Sequence, residues 1–150
     1  MNENKSFKRD VIITIASKQK FEGCEPDCID LVTTGRLYRR SGKYFISYDE
    51  SELTGMEGTR TTLKLEDRKV TMTRTGTHPT QMLFAQNQRH VGLYPTELGD
   101  LAVSTHTSSI VNTIDETGGS LAIDYTVEID SSVAGKHHFQ MDVQPSGAQA

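Results

Sequence analysis

The sequence predicts an all-β fold, an antiparallel up-and-down β-barrel of about 8–10 strands with little helix. Three observations predict it. Apolar residues recur at every second position over most of the chain, as strands with one buried and one wet face require. Short clusters of turn-forming residues separate these runs, so successive strands are joined by hairpins. No long window carries an apolar period near 3.6, and eighteen threonines weigh further against helix.

The strands, in order, are Val11–Ser17, Ile29–Arg40, Lys43–Glu50, Thr59–Glu66, Lys69–Gly76, Thr80–Gln86, His90–Pro95, Leu101–Thr107, Ser120–Asp130 and His137–Val143. The clearest is Ser120–Asp130, where Leu121, Ile123, Tyr125, Val127 and Ile129 alternate with Ala122, Asp124, Thr126, Glu128 and Asp130. Ser41-Gly42, Asp67-Arg68, Asn87-Gln88 and Gly118-Gly119 supply tight turns between neighbours. The longest non-strand stretches fall near Lys18–Asp27 and Ser108–Thr117, too short for crossovers, which favours a meander over a Greek key. Closing such a sheet removes its edges, and a sandwich is the main competitor. The 150 residues form one domain, with a core over about 10–144 and flexible ends at 1–8 and 145–150.

Charge limits the partners. The net charge is −4 and the pI near 5.7. Residues 76–150 carry only 2 basic side chains against 8 acidic. A DNA-binding domain would show a basic stripe and a much higher pI, so no DNA partner is expected. The one basic cluster is Arg36, Arg39, Arg40 and Lys43 beside Ser41-Gly42. It reads as a solvated hairpin end that resists edge pairing, or as a local RNA contact. No apolar run is long enough to cross a bilayer as a helix, and the N-terminal stretch lacks a small-residue cleavage site; a cytoplasmic protein is expected, with no membrane partner. Cys24 and Cys28 fit neither a four-ligand zinc site nor the usual two-residue redox spacing. Loop thiols, a redox-sensitive pair and a weak metal site all remain open.

Ionisable and polar residues on otherwise apolar faces are the candidate site. Val70 and Met72 set the inward parity that Arg74 follows, and Tyr44, Ile46 and Tyr48 share theirs with Glu50. A buried arginine needs a counter-charge, and Glu50 is the first choice. Thr59 and Thr61 before Leu63, Tyr94 and Thr96, Thr105 after Val103, and Tyr125 join the same interior set. The set forms either an interior ion pair capped by hydroxyls or a ligand cavity. In the second case Arg74 orients an anionic or carbonyl group and the tyrosines form walls. His78, His90, His106, His137 and His138 accompany no catalytic or metal motif. His137 and His138 are adjacent on a strand and point to opposite faces. No enzyme activity, catalytic residue, metal or cofactor is expected.

The order Tyr48-Asp49-Glu50, Gly58 and Thr61 leading into Leu63-Lys64-Leu65, Arg74-Thr75-Gly76, Phe84, Tyr94-Pro95-Thr96 with Gly99, and the Leu121–Ile129 strand resembles the bacterial YwiB-like family, over about residues 10–144. The resemblance implies a calycin-like, lipocalin-type barrel and no established reaction. Its recurrent positions, carried onto Tyr48, Glu50, Arg74, Gly76, Tyr94, Thr96 and Gly99, overlap the inward polar set. The chain departs from secreted lipocalins in having no Trp for their Gly-x-Trp strand, no signal peptide and no evident disulfide plan. The expected function is that of a non-enzymatic barrel binding a small molecule through Tyr48, Glu50, Thr61, Arg74, Tyr94, Thr96, Thr105 and Tyr125. The alternative is a plugged barrel acting as a protein- or RNA-interaction module through Arg36, Arg39 and Arg40.

Overall fold

The computed structural model describes residues 7–21, 25–77, 79–129 and 132–146. Ten strands follow in chain order: β1 (Phe7–Phe21), β2 (Asp27–Arg40), β3 (Lys43–Asp49), β4 (Thr59–Glu66), β5 (Lys69–Gly76), β6 (Thr80–Ala85), β7 (Gln88–Thr96), β8 (Gly99–Asn112), β9 (Gly119–Ile129) and β10 (Ser132–Pro145). A single 3-10 turn, Glu52–Thr54, is the helical content among the described residues. Each predicted strand is present, and β1, β2, β7, β8 and β10 are longer than the alternation alone marks.

Alternation is what builds these strands into one sheet. On β4, Thr59, Thr61, Leu63 and Leu65 are buried while the residues between them stay in partial or full contact with water. The same parity carries Val11, Ile13, Leu37, Ile46, Leu63, Val70, Phe84, Leu121, Ile123 and Met141 into a shared interior from which water is almost wholly excluded. Every ladder is antiparallel, in the order β6-β5-β4-β3-β2-β1-β10-β9-β8-β7. Sequential hairpins account for all neighbours except one. That exception, β1 with β10, runs from Val11↔Pro145 to Phe21↔Gly135 and curls the meander into a nearly closed barrel.

The sheet's two margins are therefore β6 and β7, which are consecutive in the chain. The turn between them is captured by β8. Asn87 N donates to Thr107 O at 2.7 Å, and Ile110 N donates to Gln86 Oε1 at 3.3 Å. The Asn87 N–H and the Gln86 side chain are thus engaged by β8, and β6 is only six residues long.

Three local features lie where the sequence reading is incomplete. The predicted turn Asn87-Gln88 sits one residue earlier, with Asn87 at φ 62° and Gln88 already in β7. The predicted gap from Ser108 is strand as far as Asn112, because a bulge between Thr107 and Ser109 moves the buried parity from Thr107 to Ile110. Broken alternation there hides a continuous strand. The turn predicted at Gly118-Gly119 lies instead at Glu116-Thr117, inside the Asp115↔Gly118 bridge, and Gly119 already belongs to β9. The turns at Ser41-Gly42 and Asp67-Arg68 match: Ser41 and Gly42 both take positive φ, 53° and 79°, the signature of the two-residue turn that follows strand twist.

Gly35 marks a close approach between strands. It pairs with Val11 on one side and Tyr48 on the other, and a Cβ there would meet the Ser47 carbonyl oxygen, the Ile13 side chain and Tyr48. Gly35→Ala is expected to lower stability by about 1–3 kcal/mol. Urea unfolding checks this: the midpoint should fall with little change in slope, and an unchanged midpoint would contradict the packing described.

Candidate binding site

Cross-strand register assembles one polar row inside the barrel. Tyr48 on β3 pairs with Thr61 on β4, and Thr61 pairs with Arg74 on β5. All three share the inward parity of Ile46, Leu63 and Met72. Glu50 lies one residue beyond the end of β3, where its backbone N–H donates to Thr59 O at 2.8 Å. This bond keeps Glu50 on the inward side after the ladder ends.

The carboxylate of Glu50 is enclosed, its side chain only 2% exposed. Three donors face it. Thr61 Oγ1 donates to Oε2 at 2.5 Å, Thr54 Oγ1 donates to Oε1 at 2.9 Å, and Arg74 Nε stands 3.8 Å from Oε2. Arg74 Nε also donates to Thr61 Oγ1 at 3.3 Å, so the threonine hydroxyl links base and acid. Thr54 reaches Glu50 because Ser51 caps the 3-10 turn, accepting from Leu53 N, and Gly55 closes it at φ 74°. Burying a carboxylate without such donors would cost several kcal/mol. The Tyr48 phenol beside this group is pushed above its ordinary value of 10, first by burial and then by the negative charge of Glu50.

Arg74 itself is less enclosed, with 21% of its side chain exposed. Its contacts with Glu50 and Thr61 are both made through Nε. Five N–H donors make up a guanidinium, four of them on the terminal nitrogens.

The remaining predicted residues are not part of this row. Tyr125 lies on β9, packing on Phe84 with ring centroids 4.7 Å apart and stacking on His137 at 4.8 Å and 3°. Thr105 on β8 is buried and pairs with Val127. Tyr94 and Thr96 belong to β7, but their side chains lie outside the described ones. Of the predicted set, Tyr48, Glu50, Thr61 and Arg74 come together, while Thr105 and Tyr125 stand apart from them on β8 and β9. Leu31, Met82 and Phe139 pack against the core while keeping partial exposure, as Tyr125 does.

Two contributors escape the sequence reading. Thr54 sits in a loop where parity has no meaning, and only the Ser51 cap hints at the turn that delivers it. His137 was readable: it shares the parity of Phe139, Met141 and Val143. His138 points outward, its Nδ1 2.6 Å from Asp124 Oδ1. Cys28 is exposed on β2, and Cys24 lies outside the described residues. Among the described residues no three His, Cys, Asp or Glu side chains cluster to hold a metal, and no helix is long and apolar enough to cross a membrane.

With this geometry in place, comparison with known proteins is informative. Residues 13–141 match a family model described as a domain of unknown function, DUF1934. The chain belongs to the DUF1934 family. A relative of this DUF1934 chain is the uncharacterized beta-barrel protein YwiB of Bacillus subtilis (strain 168), 26% identical over 133 residues that cover 88% of this chain and 92% of that protein. The crystal structure of YwiB from Bacillus subtilis superposes with a TM-score of 0.81 at 22% identity, covering 93% of each chain. The barrel is thereby a property of the DUF1934 chain and of this relative alike.

His137 gives the site a pH signature. Burial holds its imidazole below the ordinary value of 6.5, so the folded chain favours the neutral ring. Above about pH 6.5 folded and unfolded chains are both neutral there and this contribution is complete; as pH falls below it, the unfolded chain protonates first and stability declines towards the folded value. His137→Phe, which retains a ring against Tyr125, should lose this component. In thermal melts across this window the parent should lose stability relative to His137→Phe as pH falls, and a difference between the two curves that does not change with pH would contradict the assignment.

Proposed function

We propose that the barrel binds a small molecule in its interior, with Arg74 as the polar anchor for an anionic or carbonyl group. On this reading the chain is a binding protein and not an enzyme. The observation that carries it is the way Arg74 is held: Glu50 and Thr61 engage Nε, and the side chain keeps a fifth of its surface exposed. A guanidinium needed only as an internal counter-charge would turn its fork onto the carboxylate, which is the strongest geometry open to the pair. Its terminal nitrogens make no hydrogen bond or ion pair among the described residues, which leaves a fork suited to a carboxylate, phosphate or carbonyl oxygen.

Other groups fit the same role. Tyr125, stacked on His137 and tilted against Phe84, supplies an aromatic wall. Leu31, Met82 and Phe139, packed on the core yet partly exposed, provide further apolar surface. A few polar groups among apolar ones is how small-molecule sites achieve orientation. The calycin-like architecture implied by family resemblance and a cytoplasmic location are consistent with a carrier or sensor of a soluble metabolite.

Native mass spectrometry of the gently purified, tag-free protein tests this reading. The expected result is non-covalent mass that denaturation removes and that Arg74→Met, similar in volume but uncharged, does not retain. Adding the identified molecule at a hundredfold excess over its Kd should stabilise the parent by about 2.7 kcal/mol, a rise of several degrees in Tm. A bare mass with no thermal shift across a panel of anionic metabolites, or equal binding by the folded Arg74→Met protein, would overturn the assignment.

A further inference from the structure

The outer surface of β1–β4 carries charge opposite to that of the chain as a whole. Register sets Lys8, Tyr38, Phe45 and Lys64 side by side across four strands, basic at both ends and aromatic in the middle. At a strand spacing of ~4.8 Å, the row spans on the order of 14 Å. Tyr38 and Phe45 lie parallel, with ring centroids 5.1 Å apart and 4° between planes, and the Arg40 guanidinium carbon stands 5.3 Å from the Tyr38 centroid. Lys8, Arg36, Tyr38, Arg39, Arg40 and Arg60 line a groove of about 450 Å³ beside this row. Five cations around one groove stand out in a chain of net charge −4.

The counter-charges sit at the margin. Asp10 lies 3.7 Å from Arg36 and Asp49 lies 3.0 Å from Arg60, each pair well exposed to water. Exposed pairs of this kind are weak and readily exchanged for another anion. Lys8 and Arg40 make no ion pair among the described residues. The face therefore offers two stacked rings, a guanidinium continuing the stack, and several cations within one side chain's reach.

We propose that this face binds single-stranded RNA, with bases stacking on the Tyr38–Phe45–Arg40 platform and phosphates held by Lys8, Arg36, Arg40 and Arg60. Aromatic rings on a sheet face, flanked by basic side chains, recognise unpaired bases because a duplex keeps its base faces covered. Asp10 and Asp49 oppose the denser phosphate array of a duplex and accept hydrogen bonds from ribose 2′-hydroxyls, which DNA lacks. The platform lies on the opposite side of the sheet from Arg74, so it stands or falls separately from the interior site.

Fluorescence anisotropy with a short, unstructured, mixed-sequence RNA labelled with fluorescein tests the proposal at low salt. Saturable binding is expected. Arg40→Ala and Lys8→Ala should each weaken it severalfold and reduce the salt slope by about 0.7, one phosphate contact apiece. Tyr38→Leu, which keeps apolar cover over the strand, should weaken it about tenfold by removing a stacking surface. Lys136→Ala, exposed on β10 away from this face, should match the parent. Failure of the RNA to bind, or parent-like affinity in both Arg40→Ala and Lys8→Ala, would overturn the proposal whether or not Tyr38→Leu folds. Equal affinity for DNA of the same sequence, or for the RNA duplex, would overturn the assignment to single-stranded RNA.

Discussion

A buried carboxylate constrains the rest of this molecule. Glu50 stands just where the chain leaves β3, and its side chain is almost completely removed from water. A carboxyl group in that position requires hydrogen-bond partners from several directions. The 3-10 turn supplies Thr54, β4 supplies Thr61 and β5 supplies Arg74. One acidic side chain thus ties together the loop after β3, β4 and β5. Replacing the whole group by apolar residues would satisfy the barrel equally well on energetic grounds, since buried ion pairs seldom stabilise more than their apolar equivalents. What the arrangement provides beyond stability is a positioned guanidinium.

The closure of the sheet decides where such a group can act. Pairing β1 with β10 places the interruption between β6 and β7, within a stretch that could have been an ordinary hairpin. Thr80 of β6, opposite Arg74, is therefore a margin residue. Tyr125, by contrast, lies on β9, held by Phe84 and His137. The interior is not uniform: a dry centre of aliphatic residues grades into inward side chains that retain contact with water. The outer surface is also divided, with the Tyr38–Phe45 stack and most of the basic side chains on the first four strands and acidic residues prevailing in the second half of the chain.

Much of this was legible from side-chain alternation, and the exceptions have physical causes. Ten strands could be read because each buries one face, and period two survives any twist or tilt of the strand. Parity also placed Arg74 and Glu50 on the same side and paired them, because an inward charge must find an opposite one. Parity fails where the backbone departs from the pleat. The bulge at Ser108 shifted the buried set from Thr107 to Ile110, so the second half of β8 read as a loop. Thr54 was hidden by a turn whose geometry depends on a cap and a left-handed glycine. Closure is what an up-and-down barrel implies, but the interruption between β6 and β7 was illegible, since alternation says which face is buried and not which strand lies alongside. The stacking of Tyr38 on Phe45 needs that same lateral register, whereas the basic cluster beside it was visible as composition alone.

The central claim, that Glu50 holds Arg74 in place, is open to a double-mutant cycle. Denaturant unfolding of the parent, Glu50→Gln, Arg74→Met and the double variant isolates the interaction from whatever else each substitution disturbs. The account predicts that the single changes are each destabilising and that their effects fall short of additivity by about 1–3 kcal/mol, because either one alone strands a charge in the interior. Effects that simply sum, to within about 0.5 kcal/mol, would show that the two side chains do not depend on each other and would contradict the account.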